Sequence, residues 1–302
     1  MAHRYVLGMV ILLSGAILAV PGVVGFSDAS RIPAAHVKYS QIKAIRAPRN
    51  LVLRSASALV EDQMTGECLV QKQAGAIMPI ASITKLMTAM VVLDANMDLQ
   101  ESITIVSEDV DTLRHSRSRL PVNSILTRGD ALLLALMASE NRAAHALGST
   151  YPGGLGAFIA AMNAKAQSLG LVETRFEDPT GISSGNVSSA RDLARMVDAA
   201  YHYSIIREDT TCKETSIRLG RRTLQFHNTN HLIGNPQWQI GLSKTGFIDE
   251  AGRCLVMQSQ LAKRPVLIVL LDAQGKLTRY GDANRIKQWM EGSHMVRQKH
   301  RG

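Results

Sequence analysis

Residues 79–92 read PIASITKLMTAMVV, and the arrangement of the whole chain follows from where this stretch has to sit. Apolar Ile83, Leu86, Met87, Met90 and Val91 recur at helical spacing, which predicts a buried amphipathic helix over about residues 82–94, entered just after Pro79. On the N-terminal side, residues 56–60 and 68–71 read as two short strands joined across Gln63-Met64-Thr65-Gly66, so a hairpin precedes the helix. On the C-terminal side, Thr127 with Asp130 and Ser189 with Asp192 form capping boxes ahead of helices over residues 131–138 and 193–200. A further helix spans about residues 155–169 and stops at Gly170. The β-rich runs 239–246, 253–260 and 265–271 then lead into a closing helix over about residues 281–291. Strands from both ends of the chain must therefore meet in one sheet, with a helical block inserted between them, in an α/β (α+β) fold.

With 302 residues, 46% of them hydrophobic, the chain can bury a full-sized core in one large domain or two smaller ones. The formal net charge is +9, yet the basic residues are scattered and aromatics make up only 4%. That combination argues against nucleic acid as a partner and leaves either an anionic polymer or a simply solvated basic surface. Nine histidines include no HExxH, and His227 with His231 would face together only on a helix that Asn228-Thr229-Asn230 disfavours, so no metal and no other cofactor is expected. Cys68, Cys212 and Cys254 allow at most one disulfide, and none has the setting of a nucleophile. His3 and Arg4 precede an uncharged run over residues 5–25, apolar apart from Ser14, and small residues follow it. We read residues 1–29 as an export signal, with a retained membrane anchor as the alternative. A linker over 30–50, a folded domain over 51–292 with a helical subdomain over about 95–215, and a basic tail over 293–302 complete the expected organisation.

Three short motifs lie in order on this framework: Ser82-Ile83-Thr84-Lys85, Ser139-Glu140-Asn141 and Lys244-Thr245-Gly246. Singly they are weak, because Ser40 with Lys43 repeats the first spacing and Ser184 with Asn186 the second. Plain roles would also suffice for each alone: a helix cap, a surface lysine, a turn residue, an edge-strand charge. Context separates the copies, since only Ser82 opens an apolar helix, only Ser139 follows a buried one, and Lys-Thr-Gly occurs once, on a strand. Three apart on a helix, Ser82 and Lys85 share a face, so the amine can take the hydroxyl proton. Its reference pKa of about 10.4 must first come down through burial and a second cation, for which Lys244 is the candidate. Helix-head N–H groups would stabilise developing negative charge. Ser139 and Asn141, two apart in a loop, can present a hydroxyl for proton relay and an amide for a substrate backbone. Lys244 and Thr245 offer a charge and a hydroxyl to a carboxylate, while Gly246 keeps the strand open to a peptide along its edge.

The set of motifs resembles that of class A β-lactamases and penicillin-binding proteins. More closely, the chain looks like the low-molecular-mass penicillin-binding proteins of the D-alanyl-D-alanine endopeptidase subgroup. The closer match rests on Ala138-Ser139-Glu140-Asn141-Arg142-Ala143-Ala144, Tyr151-Pro152-Gly153-Gly154, Asp178-Pro179-Thr180-Gly181, Asn228-Thr229-Asn230 and Ala251-Gly252-Arg253-Cys254-Leu255, and covers about residues 51–291. The resemblance implies a five-stranded antiparallel sheet flanked by helices, with an inserted all-helical subdomain. It implies catalytic Ser82, Lys85 and Ser139, substrate contacts from Asn141, Lys244, Thr245, Gly246 and Phe247, and an oxyanion hole from the backbone N–H groups of Ser82 and Phe247. The expected partners are D-Ala-diaminopimelate cross-links of peptidoglycan and, as covalent inhibitors, β-lactams; the expected location is the periplasm, with at most loose membrane association. The residues after Gly246 are taken up by the strands and helix already read, which favours the compact endopeptidase form over carboxypeptidases with an added β-domain. Carboxypeptidase action on uncross-linked stems stays open. A β-lactamase would need a carboxylate to activate the deacylating water, for which Glu177 and Asp178 stand at a suitable place. A catalytically idle wall-binding module that keeps the pocket is the reading from a different class.

Overall fold

The computed structural model describes residues 51–299. The export signal, the linker and the Ser40–Lys43 copy of the first motif lie outside the described residues. The expected hairpin forms as β1 (Ser57–Asp62) and β2 (Cys68–Lys72), followed by β3 (Met78–Pro79), a 3₁₀ turn (Ala81–Thr84) and α1 (Lys85–Asp94). Next come β4 (Ser102–Thr104), β5 (Ile125–Thr127), α2 (Arg128–Met137), α3 (Asn141–Ser149), α4 (Gly154–Ser168) and β6 (Val187–Ser188). Then follow α5 (Ala190–Tyr201), α6 (Ser204–Thr211), β7 (Glu214–Leu219) and β8 (Arg222–His227). The chain closes with β9 (Gln239–Ile248), β10 (Gly252–Leu261), β11 (Arg264–Ala273) and α7 (Thr278–Lys299).

Strands from the two ends of the chain form one antiparallel five-stranded sheet in the order β2-β1-β11-β10-β9. The mixed α/β architecture is thus as expected, and small two-stranded sheets, β3-β6, β4-β5 and β7-β8, accompany the inserted helices. Both capping serine/threonine positions act as expected: Thr127 Oγ1 accepts from Asp130 N at 3.0 Å and Ser189 Oγ from Asp192 N at 3.1 Å.

Both faces of the sheet are covered, and β11 shows why its sequence is an unbroken apolar run. Leu267, Val269 and Leu271 enter the core beneath the helical block, whereas Val266, Ile268 and Leu270 enter a second core beneath α7. A strand buried on one face would alternate; a central strand buried on both has no polar position to spare. α1 departs from the expected amphipathic pattern. Every residue from Lys85 to Val92 is buried, with α2, α3, α4, α5 and α6 packed around it. A helix at the centre of a helical block has no solvent face for polar residues to mark. Its head also differs, because residues 81–84 form a 3₁₀ turn rather than the first α-helical turn. At the other end, α7 runs past Glu291 to Lys299, into the stretch read as a tail.

The closing helix is tied to the start of the domain through Asp282. Its carboxylate is fully buried and accepts from Arg54 N at 3.0 Å, Ser55 N at 2.7 Å and Ser55 Oγ at 2.6 Å. Asp282→Ala would leave these donors without an acceptor, so the folded state should lose about 3 kcal/mol, seen as a lower urea midpoint at unchanged slope. A midpoint equal to that of the parent would show that the clamp is not used.

Candidate active site

Ser82 and Lys85 meet because of the 3₁₀ turn that joins β3 to α1. Side chains three apart eclipse one another in a 3₁₀ turn, more closely than in an α-helix. Lys85 Nζ consequently lies 2.9 Å from Ser82 Oγ. Ala81, just before the serine, is fully buried at φ 49°, a strained conformation for a residue with a Cβ. Its carbonyl is held by Thr84 Oγ1 at 2.8 Å, which tightens the turn.

The Lys85 amine is buried and has two further partners, Asn141 Oδ1 at 2.7 Å and the Thr180 carbonyl at 2.6 Å. The Asn141 amide is oriented by donating from Nδ2 to Ser116 Oγ at 2.9 Å, so its oxygen faces the lysine. Both partners can only accept. A neutral amine has two N–H groups and one lone pair; with both hydrogens committed to these carbonyls, the lone pair faces the Ser82 hydroxyl. Burial drives the Lys85 amine down to about 7, with the carboxylates of Asp178 and Glu140 partly opposing. Lys244, the expected second cation, is itself lowered well below the ordinary lysine value, by its own burial first and then by Lys85 and Arg279.

Lys244 is brought beside the first pair by β9, the edge strand of the sheet. Its Nζ lies 2.9 Å from Ser139 Oγ and 3.1 Å from the Thr245 carbonyl. Ser139 stands at φ 57° between α2 and α3, and Asn141 is the first residue of α3 rather than part of a loop. The hydroxyl of Ser139 therefore joins Lys244, while the amide of Asn141 joins Lys85, and the two residues of one motif serve two different lysines. Thr245 is buried, and its Oγ1 donates to Thr229 Oγ1 at 2.7 Å.

Gly246 has a use beside the one expected. A Cβ there would come within 2.8 Å of the Ile80 carbonyl and 3.2 Å of Ser82 N, so only glycine lets β9 pack against the turn that carries the serine. Gly181 (φ 82°) makes the matching approach from the opposite side, where a Cβ would overlap the Ala81 carbonyl at 1.9 Å. The next N–H on β9 belongs to Phe247, whose side chain is exposed and stacks under Arg253 at 4.3 Å. The carbonyl of the same peptide unit, Gly246 O, accepts from Arg279 at 3.0 Å, and Arg279 also donates to Cys254 O at 3.1 Å. In a trans peptide C=O and N–H point oppositely, so the guanidinium orients the Phe247 N–H toward the cleft and strengthens it as a donor.

Arg279 was not legible in sequence, and Thr180 and Thr229 were quoted there without a role. Arg279 acts on a residue distant in sequence from a helix of ordinary polarity, and no local pattern marks it. Thr180 contributes a backbone carbonyl, which any residue could supply; the signal was Asp178, whose Oδ1 accepts from Thr180 N at 2.6 Å and Gly181 N at 2.8 Å and folds the loop. With Ser183 N on its other oxygen at 2.9 Å, Asp178 is fully used. Glu177 pairs with Arg175 at 2.8 Å and accepts from Ser183 Oγ at 2.8 Å. Both suggested carboxylates are committed to the loop itself. His227 lies on β8 and pairs with Glu214 at 3.4 Å, and Cys68, Cys212 and Cys254 are free thiols. Cys254 is fully buried, and burial pushes its thiol up to about 11.

The arrangement, a buried amine 2.9 Å from the hydroxyl of a half-buried serine and a second lysine on an edge strand bonded to a second serine, is suited to acyl transfer. Residues 43–275 match the protein family described as D-alanyl-D-alanine carboxypeptidase. The chain is 50% identical over 246 residues to a D-alanyl-D-alanine endopeptidase of Pseudomonas aeruginosa, covering 81% of this chain and 79% of that one. It is 46% identical over 241 residues to a D-alanyl-D-alanine endopeptidase of Escherichia coli, covering 79% and 78%. Among solved structures it is similar to the Streptomyces K15 DD-transpeptidase, with TM-score 0.73, 28% identity and coverage of 78% of this chain and 96% of that one. It is also similar to cefotaxime-bound penicillin-binding protein D2 from Listeria monocytogenes, with TM-score 0.70, 28% identity and coverage of 79% and 97%.

Glu140→Gln removes a negative charge that holds the Lys85 amine up, so neutral Lys85 should persist to lower pH. The acidic limb of the rate of acylation by benzylpenicillin against pH should move to lower pH in this variant; an unmoved or alkaline-shifted limb would refute the assignment.

Proposed function

Since the chain belongs to the D-alanyl-D-alanine carboxypeptidase family, we propose that it is a serine DD-peptidase that hydrolyses D-Ala-diaminopimelate cross-links of peptidoglycan through an acyl-enzyme on Ser82. The observation that carries this reading is the buried Lys85 amine, hydrogen-bonded to two carbonyls and 2.9 Å from Ser82 Oγ. Neutral Lys85 takes the Ser82 proton as Oγ attacks the D-Ala carbonyl carbon. The carbonyl oxygen becomes an oxyanion held by the N–H groups of Ser82 and Phe247. Lys244 and Thr245 hold the carboxylate of the residue beyond the scissile bond. The proton taken up by Lys85 passes by way of the Ser139 hydroxyl to the leaving amine as the C–N bond breaks, which returns Lys85 to its neutral form and leaves Ser139 unchanged. The ester on Ser82 is then cleaved by water, with Lys85 again accepting the proton.

The same acylation on a β-lactam gives a stable ester, in line with the cefotaxime complex of the Listeria relative. The names of the relatives from Pseudomonas aeruginosa and Escherichia coli favour the endopeptidase over the carboxypeptidase reaction. The commitment of Glu177 and Asp178 to their own loop disfavours a β-lactamase. We assign Ser82, Lys85 and Ser139 as catalytic and Asn141, Lys244, Thr245, Gly246 and Phe247 as substrate-binding. Export to the periplasm, directed by residues 1–29, belongs to the same proposal. Among the described residues no helix is long and apolar enough to cross a membrane.

Digestion of purified cross-linked muropeptides, followed by mass spectrometry, should convert dimers to monomers. Loss of one Ala per stem with dimers intact would instead identify a carboxypeptidase. Ser82→Ala should abolish covalent labelling by penicillin, whereas Ser40→Ala should label as the parent does; a labelled Ser82→Ala protein would overturn the nucleophile assignment.

A further inference from the structure

A cavity of about 520 Å³ opens beside the cleft, lined by Arg117, Arg119, Ala138, Glu140, Phe226 and His227. Its place relative to the reaction follows from two connections. Ala138 and Glu140 flank Ser139, which is hydrogen-bonded to Lys244, and Phe226-His227 lead through Asn228 to Thr229, which is hydrogen-bonded to Thr245. The cavity therefore adjoins the lysine and threonine that hold the leaving residue's carboxylate, not the Lys85 side of the serine. Resting on the DD-peptidase reading above, we infer that this cavity is the subsite for the leaving stem peptide and that its arginines recognise that stem's carboxylates.

The chemistry of the lining fits such a ligand. A carboxypeptidase releases a single D-Ala and has no more of the leaving group to seat. Cleavage of a cross-link releases a whole acidic stem: an aliphatic diamino-acid chain, then peptide N–H groups, then the carboxylates of a γ-linked glutamate and of a terminal D-Ala. Phe226 and Ala138 supply apolar lining. Glu140 is buried, and its Oε1 has no hydrogen-bond partner. A buried acceptor left without a donor in the empty protein is an acceptor for a donor that arrives with the ligand, here a stem N–H. Arg117 is exposed and has no hydrogen-bond or ion-pair partner among the described residues, and Arg119 donates only to the Gln225 carbonyl. Neither guanidinium makes an ion pair among the described residues, although Glu140 lines the same cavity, so both can offer a bidentate contact to the ligand. His227 is already paired with Glu214 and adds no free cation.

The test uses the full chain, a cross-linked muropeptide dimer, and the same dimer with the α-carboxyl of the leaving stem's γ-linked glutamate amidated. Arg117→Ala/Arg119→Ala should lower kcat/KM on the plain dimer roughly tenfold, the factor for two partly solvated charged contacts. Benzylpenicillin, which brings no leaving stem, should acylate this variant at the parent's rate. The single variant Arg117→Glu, whose side chain anchors nothing in the fold, should show the same selective loss. Amidation should slow the parent and leave the double variant no slower than before. Equal cleavage of the plain dimer by parent and variants would overturn the inference, as would a parallel fall in the penicillin rate. If the parent cleaves no dimer, the endopeptidase reading itself fails and the inference falls with it.

Discussion

A lysine amine enclosed in protein and hydrogen-bonded to two carbonyl oxygens is the constraint around which this molecule is built. An ammonium in such a place loses its hydration, and the amine responds by giving up its proton near neutrality. Enclosure requires α1 to be surrounded, which is why that helix is buried on every side from Lys85 to Val92 and why five other helices pack against it. Direction requires two acceptors at fixed positions. One comes from the first residue of α3 and the other from the loop folded around Asp178, segments far apart in sequence that converge on one nitrogen.

The remaining parts position groups against the serine from outside. Gly246 and Gly181 let β9 and the Asp178 loop press on the two sides of the turn carrying Ser82. Arg279 reaches from α7 to the peptide unit whose N–H faces the cleft, and Asp282 ties that helix to the start of the domain. Tyr280 extends the link by donating to the Thr229 carbonyl at 3.0 Å, so one end of one helix supports both the peptide unit before Phe247 and the hydrogen-bonded pair of Thr229 and Thr245. The cleft is divided by charge. Lys85 meets Asn141 and the Thr180 carbonyl, while Lys244 and Ser139 meet each other beside the arginine-lined cavity.

Much of this was legible in sequence, and the parts that were not have physical reasons. The sheet strands and capping boxes were readable because hydrophobic pattern and local hydrogen bonding determine them directly. The hairpin of β7 and β8 was not, since of β7 only Ile217 is buried and the pattern is faint. Ser82, Lys85 and Lys244 stood out as a set because three motifs fell in order, yet one acceptor on the Lys85 amine is a backbone carbonyl at Thr180, and the peptide unit between Gly246 and Phe247 is held by an arginine at 279. A carbonyl has no residue type, and an arginine acting across the sheet has no local signature. Burial is the largest cause lowering the Lys85 amine, and Lys244, expected to lower it as a second cation, is lowered itself with Lys85 among the causes. Depth of burial is not encoded in spacing.

The central claim is that the Lys85 amine gives up its proton near neutrality, before any substrate arrives. Carbon-13 at lysine Cε, followed by NMR across pH in the empty protein with Lys85→Arg to identify the resonance, measures that state directly. A midpoint of about 7 for Lys85 is the expected result. A Lys85 resonance that titrates with the exposed lysines near about 10.4 would contradict the account, because the amine would then be a cation unable to take the serine proton.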